Sequence, residues 1–292
     1  MPKGDFFALI SALFWSVSVI LMRVSGFSIP PVPLTLFKST VAIFCFVALS
    51  QILREPLVPA LSGSDYLRLV LSGWLGISVA DTMFAAALNR LGASLQALAD
   101  CVYAPAIACV GFLMFGETLG FWEILGGMLV ISGVVVGLRL TPEVKNKSDL
   151  IMGVGLAAGA HVIMAVGILM VRDIYREVSV VWVSGFRFLT ATILLGIYAW
   201  FGGHRHHLFL AFQRRDVWKT MLPMAFFGPF LATICWVAGF KFTTAGRAAI
   251  FNQMSTVFII ILAVLFLRER LTGHKVVGVI LAVSGAVLMA LH

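Results

Sequence analysis

Charged side chains are scarce in this sequence. Lys, Arg, Asp and Glu make up 12% of its 292 residues, whereas hydrophobic residues make up 61%. A soluble domain is about 25% charged and about 45–50% apolar. So few polar side chains cannot cover a water-exposed surface, which excludes a soluble monomer, and so large a hydrophobic share excludes a disordered chain. The composition predicts a multi-pass membrane protein.

Cysteine is also rare, and its placement excludes two further classes. The four cysteines lie within apolar segments and none forms a Cys-x-x-Cys pair, so neither a disulfide framework nor a zinc ribbon is indicated. His204, His206 and His207 surround Arg205 without a nearby Cys or carboxylate, and we interpret this run as a basic loop. No metal or cofactor is therefore expected.

Motifs for nucleotide binding and hydrolysis are missing from the sequence. It contains no Walker A, G-x-S-x-G, H-E-x-x-H or G-x-G-x-x-G pattern, so nothing supports ATP-driven transport or motif-based catalysis. The net charge of +8 sits in short loops between apolar segments, where basic residues favour contact with anionic lipid over nucleic-acid binding. The expected partners are the lipid bilayer and a small-molecule substrate, and not nucleic acid.

Ten apolar segments are each close to the roughly 20 residues that an α-helix needs to cross a bilayer. They are continuous rather than alternating, which argues against a β-barrel. The sequence therefore predicts an all-α membrane protein with ten transmembrane helices, the first of which is a helix and not a signal peptide. The predicted helices span residues 6–25, 33–53, 66–88, 94–115, 121–139, 150–171, 180–201, 217–240, 246–267 and 273–291.

The sequence repeats itself at an offset of 152. Residues 65–140 align with residues 217–292 without a gap. Small residues and turn residues recur in register, which chance similarity between apolar segments does not explain. The matched residues include Gly76 and Gly228, Ala93 and Ala245, Ile107 and Ile259, Glu117 and Glu269, Gly126 and Gly278, and Gly133 and Gly285.

The first two helices of each half align at a slightly smaller offset of 149, which matches Lys38 with Arg187. We expect two repeats, residues 1–140 and 141–292, with five helices each. Because five is odd, the second repeat enters the membrane from the opposite side. Two inverted five-helix repeats are typical of secondary transporters, whose binding site lies near the membrane midplane between the halves.

Two motif pairs carry a resemblance to a known family. Residues 116–119 (Gly-Glu-Thr-Leu) precede a glycine-rich helix at 126–134, and residues 268–271 (Arg-Glu-Arg-Leu) precede its counterpart at 278–286. This pattern resembles the EamA-type halves of the drug/metabolite transporter superfamily. The resemblance implies a ten-helix transporter, with exporters of amino acids and other small metabolites as the commonest members. Tyr103-Ala104-Pro105 is similar to the kinked helix of the YddG-like amino-acid exporters.

The glycines of the motif have a physical interpretation of their own. Spaced seven residues apart, they share one helix face and allow two helices to approach closely in lipid. We expect Gly126, Gly133, Gly278 and Gly285 to serve helix packing, within the chain or in a homodimer. Glu117 and Glu269 lie at the turns that open helices 5 and 10, where a carboxylate favours the positive helix end. Kinks are expected at Pro105, Pro223 and Gly228-Pro229.

Ionisable residues at membrane depth are costly and mark functional sites. Asp81 and Asp100 both lie roughly 10 Å deep on one side, since helices rise 1.5 Å per residue. Lys38 enters from the same side, so it is expected to meet Asp81 or Asp100. The three residues form either a charge cluster that couples transport to protons or a structural ion pair.

Six residues are the candidates for substrate binding. Asn252 and Gln253 offer amide donors and acceptors for a zwitterionic substrate. Tyr103 and Trp236 provide apolar walls. Arg187 either binds a substrate carboxylate or extends its charge toward the membrane surface. His161 either transfers protons or is a hydrogen-bonded structural histidine.

The leading hypothesis is a secondary transporter that exports amino acids or related metabolites across the bacterial inner membrane by alternating access. A sugar-phosphate-type antiporter or multidrug exporter of the same fold is the alternative, and a lipid-modifying membrane enzyme is a distant third. The protein is expected to be a monomer or homodimer. Loop charges favour both termini outside the cell, whereas the family resemblance favours both inside, so the orientation stays open.

Overall fold

The computed structural model describes residues 3–56, 58–116, 118–138, 144, 146–202, 207–242 and 245–291, without the side chains of 240, 241 and 245–250. Glu117, His204, Arg205 and His206 lie outside the described residues. All regular structure in these ranges is helical. Ten long helices span Lys3–Ser25 (α1), Pro31–Ile52 (α2), Gly63–Leu91 (α3), Ala93–Phe115 (α4), Phe121–Gly137 (α5), Lys147–Leu169 (α6), Val180–Phe201 (α7), Arg215–Gly239 (α8), Ala245–Leu267 (α9) and Gly273–Leu291 (α10).

Eight of these helices are long and apolar enough to cross a membrane, while α5 and the apolar part of α9, Phe251–Leu267, are shorter. The predicted all-α class with ten helices is confirmed. Since the helices run alternately up and down, α1 begins and α10 ends on one side of the bundle. We call this side the terminal face and the other side the opposite face.

Local sequence signals set the helix boundaries. Pro31 opens α2, where a missing backbone N–H costs nothing. Ser62 and Asp65 form a capping box at the start of α3. Gly92, at φ 78°, separates α3 from α4, and Gly116, at φ 66°, ends α4. Both glycines adopt the positive φ that other residues disfavour, so the chain can reverse within one or two residues.

Helices α5 and α10 pack closely along their glycine faces. A Cβ atom placed on Gly126 would lie 2.6 Å from the carbonyl oxygen of Gly285. A Cβ atom on Gly133 would lie 2.5 Å from the carbonyl oxygen of Gly278. Only glycine fits at such distances, so these four residues join the two halves within one chain.

The two halves also exchange their first helices. Helix α1 packs against α8 and α9 of the second half, and α6 packs against α3 and α4 of the first half. Ser11 and Ser18 on α1 donate hydrogen bonds to the carbonyl oxygens of Ala232 and Met224 on α8, both at 2.8 Å. Helices α2 and α7 pack against each other. These contacts interlock the two halves.

A π-helical segment interrupts α3 and α8 at matching places, Trp74–Val79 and Phe226–Ala232. The first residues of the two segments are related by the repeat offset of 152. Pro229 lies in the α8 segment, in agreement with the predicted kink. The α3 segment contains no proline, so the sequence did not indicate it. Such segments bend a helix because they leave the regular hydrogen-bond ladder incomplete.

Candidate functional site

A cavity of about 1420 Å³ lies between the two halves. Its walls come from α4, α8, α9 and α10 and from the connection between α6 and α7. Glu55, Glu123 and Ser179 line its mouth at helix ends on the terminal face, so the cavity opens toward that face. This volume holds a small metabolite with its surrounding water.

Four of the six predicted substrate-binding residues line this cavity: Tyr103, Trp236, Asn252 and Gln253. The kink that the sequence predicted in α4 brings Tyr103 to the wall, because regular helix stops at Asp100 and resumes at Tyr103. Pro105 lacks the N–H that would continue the ladder there. The cavity thus combines two aromatic rings with two side-chain amides.

Arg187 lies behind the cavity wall rather than in it. Its side chain is buried on α7, and its Nη1 donates a hydrogen bond to the hydroxyl of Tyr175 at 2.9 Å. Tyr175 does line the cavity. Over the described ranges, Arg187 has no carboxylate partner, and its Nε makes no hydrogen bond. A buried cation without a counter-ion is costly, and it favours an anion within reach.

Lys38, the repeat counterpart of Arg187, has a different environment. Its Nζ lies 2.6 Å from Oδ2 of Asp81, and the two side chains are 2% and 12% exposed. The pair joins α2 to α3 within the first half, and neither residue lines the cavity. Of the two carboxylates that the depth argument allowed, Lys38 therefore contacts Asp81. The geometry is that of a closed structural ion pair.

Asp100 pairs with His161 instead. Nε2 of His161 lies 2.8 Å from Oδ1 of Asp100, and Gln96 donates to the same oxygen at 2.7 Å. The His161 ring also lies 5.7 Å from the ring of Tyr103, centroid to centroid. The expected group of Lys38, Asp81 and Asp100 is thus divided between two separate pairs.

Two of these contacts were missed in the sequence. Gln96 is one turn before Asp100 on α4, and a deep polar residue at this spacing was the available signal. Tyr175 lies on the short helix Ile174–Glu177 between α6 and α7. Four residues are too few for a hydrophobic pattern to predict which way the Tyr175 side chain faces.

The connection that carries Tyr175 is tied to α3. Nη1 of Arg68 lies 2.9 Å from Oδ2 of Asp173, just before the short helix. Although partial burial raises the pKa of the Asp173 carboxyl, hydrogen bonds from Arg68 and from the backbone outweigh it and hold the pKa below its ordinary value. Asp173 therefore stays ionised at neutral pH and keeps the connection in place.

Both signs of charge surround the mouth of the cavity. Arg172 and Arg176 contribute positive charge, and Glu55, Glu123 and Glu177 contribute negative charge. The guanidinium of Arg172 stacks on the Phe115 ring at 3.6 Å. A mouth of mixed sign repels neither end of a zwitterion.

Comparison with known proteins identifies the family. The model of the EamA-like transporter family matches residues 2–139 and again residues 151–291. This chain belongs to that family. The chain is 32% identical over 162 residues to the "Uncharacterized transporter YetK" of Bacillus subtilis (strain 168), covering 52% of this chain and 47% of that protein.

A second relative is an "Uncharacterized transporter" of Archaeoglobus fulgidus, 28% identical over 118 residues, which cover 39% of each protein. The aligned part thus spans about half the length or less of these two relatives. A solved crystal structure superposes with a TM-score of 0.70 over 99% of both chains at 18% identity, which shows the shared fold alone.

These findings confirm the resemblance to EamA-type members of the drug/metabolite transporter superfamily. The chain is a multi-pass membrane protein of the EamA-like transporter family. Neither printed name of a relative states a substrate.

Proposed function

We propose that this transporter exports amino acids, or related small metabolites that carry a carboxylate, across the bacterial inner membrane by alternating access. The observation that carries the proposal is the buried Arg187, which has no carboxylate partner among the described side chains and reaches the cavity through Tyr175. A substrate carboxylate supplies the missing negative charge.

The Tyr175 hydroxyl links the positive charge of Arg187 to a substrate carboxylate in the cavity. It accepts a hydrogen bond from Arg187, so its own proton is free to point toward a substrate oxygen in the cavity. A donor polarised by a neighbouring cation binds an anion more strongly than an isolated hydroxyl does. The amides of Asn252 and Gln253 serve the remaining polar groups, and the rings of Tyr103 and Trp236 pack against an apolar side chain.

Alternating access is supported by a contact between the two halves at the opposite face. There, the Glu269 carboxylate accepts hydrogen bonds from the backbone N–H groups of Ala93, at 2.7 Å, and Ser94, at 2.9 Å. Glu269 belongs to the second half and α4 to the first, so this contact joins the two halves at the end of the bundle away from the cavity mouth. In alternating access, this contact breaks as the terminal face closes.

A second candidate is a transporter of phosphorylated metabolites. The specific observation in its favour is the presence of Arg172 and Arg176 at the cavity mouth in addition to Arg187 behind the wall. Arginine binds phosphate as well as carboxylate. The three glutamates at the same mouth oppose a strongly anionic substrate, which is why we rank this candidate second.

The test is efflux from proteoliposomes preloaded with amino acids, sugar phosphates and cationic drugs, read by mass spectrometry. We expect selective loss of amino acids. Arg187→Gln is expected to lower the efflux rate about 10- to 100-fold, since a hydrogen bond to a charged group contributes about 1.5–3 kcal/mol. Arg214→Gln, an exposed arginine outside the cavity, is the matched control. Loss of sugar phosphates alone favours the second candidate, and loss of cationic drugs alone contradicts both.

A further inference from the structure

The pair of Asp100 and His161 lies behind Tyr103, on the side of the cavity away from its mouth. Asp100 ends the helical segment Ala93–Asp100 of α4, one turn before Tyr103. His161 belongs to α6 of the other half. The Asp100 side chain is 14% exposed and that of His161 is 7% exposed. A change at this pair therefore acts on a bond between the two halves.

The bonds of this cluster are incomplete. Both His161 and Gln96 use Oδ1 of Asp100. Within the part of the chain that the structure describes, no protein group bonds to Oδ2 of Asp100, Nδ1 of His161 or Oε1 of Gln96. When His161 is neutral and donates from Nε2, its Nδ1 has a free lone pair. Two positions can thus accept a proton: Nδ1 of His161 and Oδ2 of Asp100.

The inverted repeat shows that this cluster is not part of the common scaffold. The counterparts of Asp100, Gln96 and His161 are Asn252, Ala248 and Ala12. None of these three residues titrates. Lys38 and Asp81 are also confined to one half, but they neutralise each other. Protonation of either Asp100 or His161 changes the net charge of their pair by one.

We propose that Asp100 and His161 form the proton-binding site that couples the transport cycle to the pH gradient. This proposal rests on the proposed function. With one proton on the imidazole the pair carries a charge of −1, and a second proton makes it neutral. Burial of a net charge within the membrane is costly, so the two protonation states favour different degrees of access to water. One proton then enters from one face and leaves toward the other in each cycle.

Most charged groups around this pair have partners of their own, whereas Arg187, whose positive charge acts on Tyr103 beside His161, has no carboxylate partner among the described residues. The Asp81 carboxylate is paired with Lys38, and the Glu269 carboxylate is bound by two backbone N–H groups. Arg23 donates to the carbonyl oxygens of Leu88 and Asn89. Glu269 lies between α9 and α10. The charged or titratable residues on α4 and on the helical segments that pack against Ala93–Asp100 are Cys101, Tyr103 and Cys109 on α4, Lys3, Asp5 and Arg23 on α1, Asp81 and Arg90 on α3, Glu123 on α5, Lys147 and Asp149 on α6, Arg247 on α9, and His274 and Lys275 on α10.

The first test measures proton movement. Proteoliposomes that hold a pH-sensitive dye receive an outward gradient of the amino-acid pool, and dye and pool are followed together. Wild type is expected to move protons with the pool, whereas Asp100→Asn and His161→Gln reduce proton movement to that of protein-free liposomes. Asp216→Asn, an exposed carboxylate paired with Arg214, is the matched control and keeps wild-type coupling. Proton movement that persists in both pair variants overturns the proposal.

The second test needs no substrate, so it separates this proposal from the proposed function. Infrared difference spectra of the protein in lipid nanodiscs, recorded over a pH titration, report protonation of a buried carboxyl or imidazole. We expect a pair signal that Asp100→Asn removes and that Asp100→Glu shifts, so that failure of one variant to fold leaves the other. A spectrum identical in wild type and Asp100→Glu overturns the proton site, even when amino-acid export is found.

Discussion

The two halves share their backbone contacts and differ in their buried charges. Ser18 donates to the carbonyl oxygen of Met224, and at the repeat-related place Ser72 donates to that of Gly167. By contrast, Lys38 has Asp81, whereas its counterpart Arg187 faces the hydroxyl of Tyr175. The counterpart of Asp81 is Thr233. The hydrogen bonds that recur in both halves are suited to a movement that both halves make. The buried charges that differ between the halves are suited to binding or proton transfer by one half alone.

The largest expected effect comes from making the first half resemble the second. Asp81→Thr copies Thr233 and leaves Lys38 buried without its carboxylate. Removal of one partner of a buried ion pair costs about 3–5 kcal/mol. We expect a large drop in the unfolding midpoint of the purified protein in detergent. If the double variant Lys38→Met with Asp81→Thr is no more stable than Asp81→Thr alone, the stranded charge is not the cause.

A smaller effect is expected where the halves meet on their glycine faces. Gly133→Leu places a side chain against the backbone of α10, since even a Cβ atom would lie 2.5 Å from the Gly278 carbonyl oxygen. Overpacking of this kind costs about 1–3 kcal/mol. Gly155→Leu on α6, where a Cβ atom meets nothing within 4 Å, is the control. Size-exclusion profiles should separate the two variants, and equal profiles would show that α5 and α10 can move apart.

The smallest expected effect concerns two equivalent turns. Gly116 ends α4 at φ 66°, and Arg268, its counterpart at an offset of 152, adopts φ 55° after α9. A non-glycine residue in this left-handed region costs about 1–2 kcal/mol. Arg268→Gly is therefore expected to stabilise the protein, and Gly116→Ala to destabilise it, by about 1 kcal/mol each. A thermal melt measures both, and a change of the same sign in the two variants would contradict the equivalence.

Much of the fold was predictable because lipid allows few alternatives. Uninterrupted apolar segments predicted the ten helices, and the glycine spacing predicted faces for close helix packing, although not that α5 packs against α10. Four cavity residues followed from the rule that polar and aromatic side chains at the midplane of repeat transporters face the site. These predictions require only the position of each residue along its helix, which the sequence provides.

The remaining features depend on rotation about the helix axes, which position alone does not give. The depth of these residues in the membrane allowed Lys38 to contact either Asp81 or Asp100. The packing of α2 against α3 makes Asp81 the partner. Asp100 and His161 are 61 residues apart, and their contact follows from the exchange of α6 into the first half. That exchange is a tertiary arrangement that the repeat itself does not specify.

The exchange of first helices has a consequence for synthesis of the protein. Helix α1 leaves the ribosome long before α8, yet the backbone acceptors for Ser11 and Ser18 lie on α8, more than 200 residues later. Through most of translation, α1 has to remain in the bilayer or beside the insertion machinery with its serines turned toward a temporary neighbour. The native fold is therefore completed only late in translation, after both repeats have been inserted.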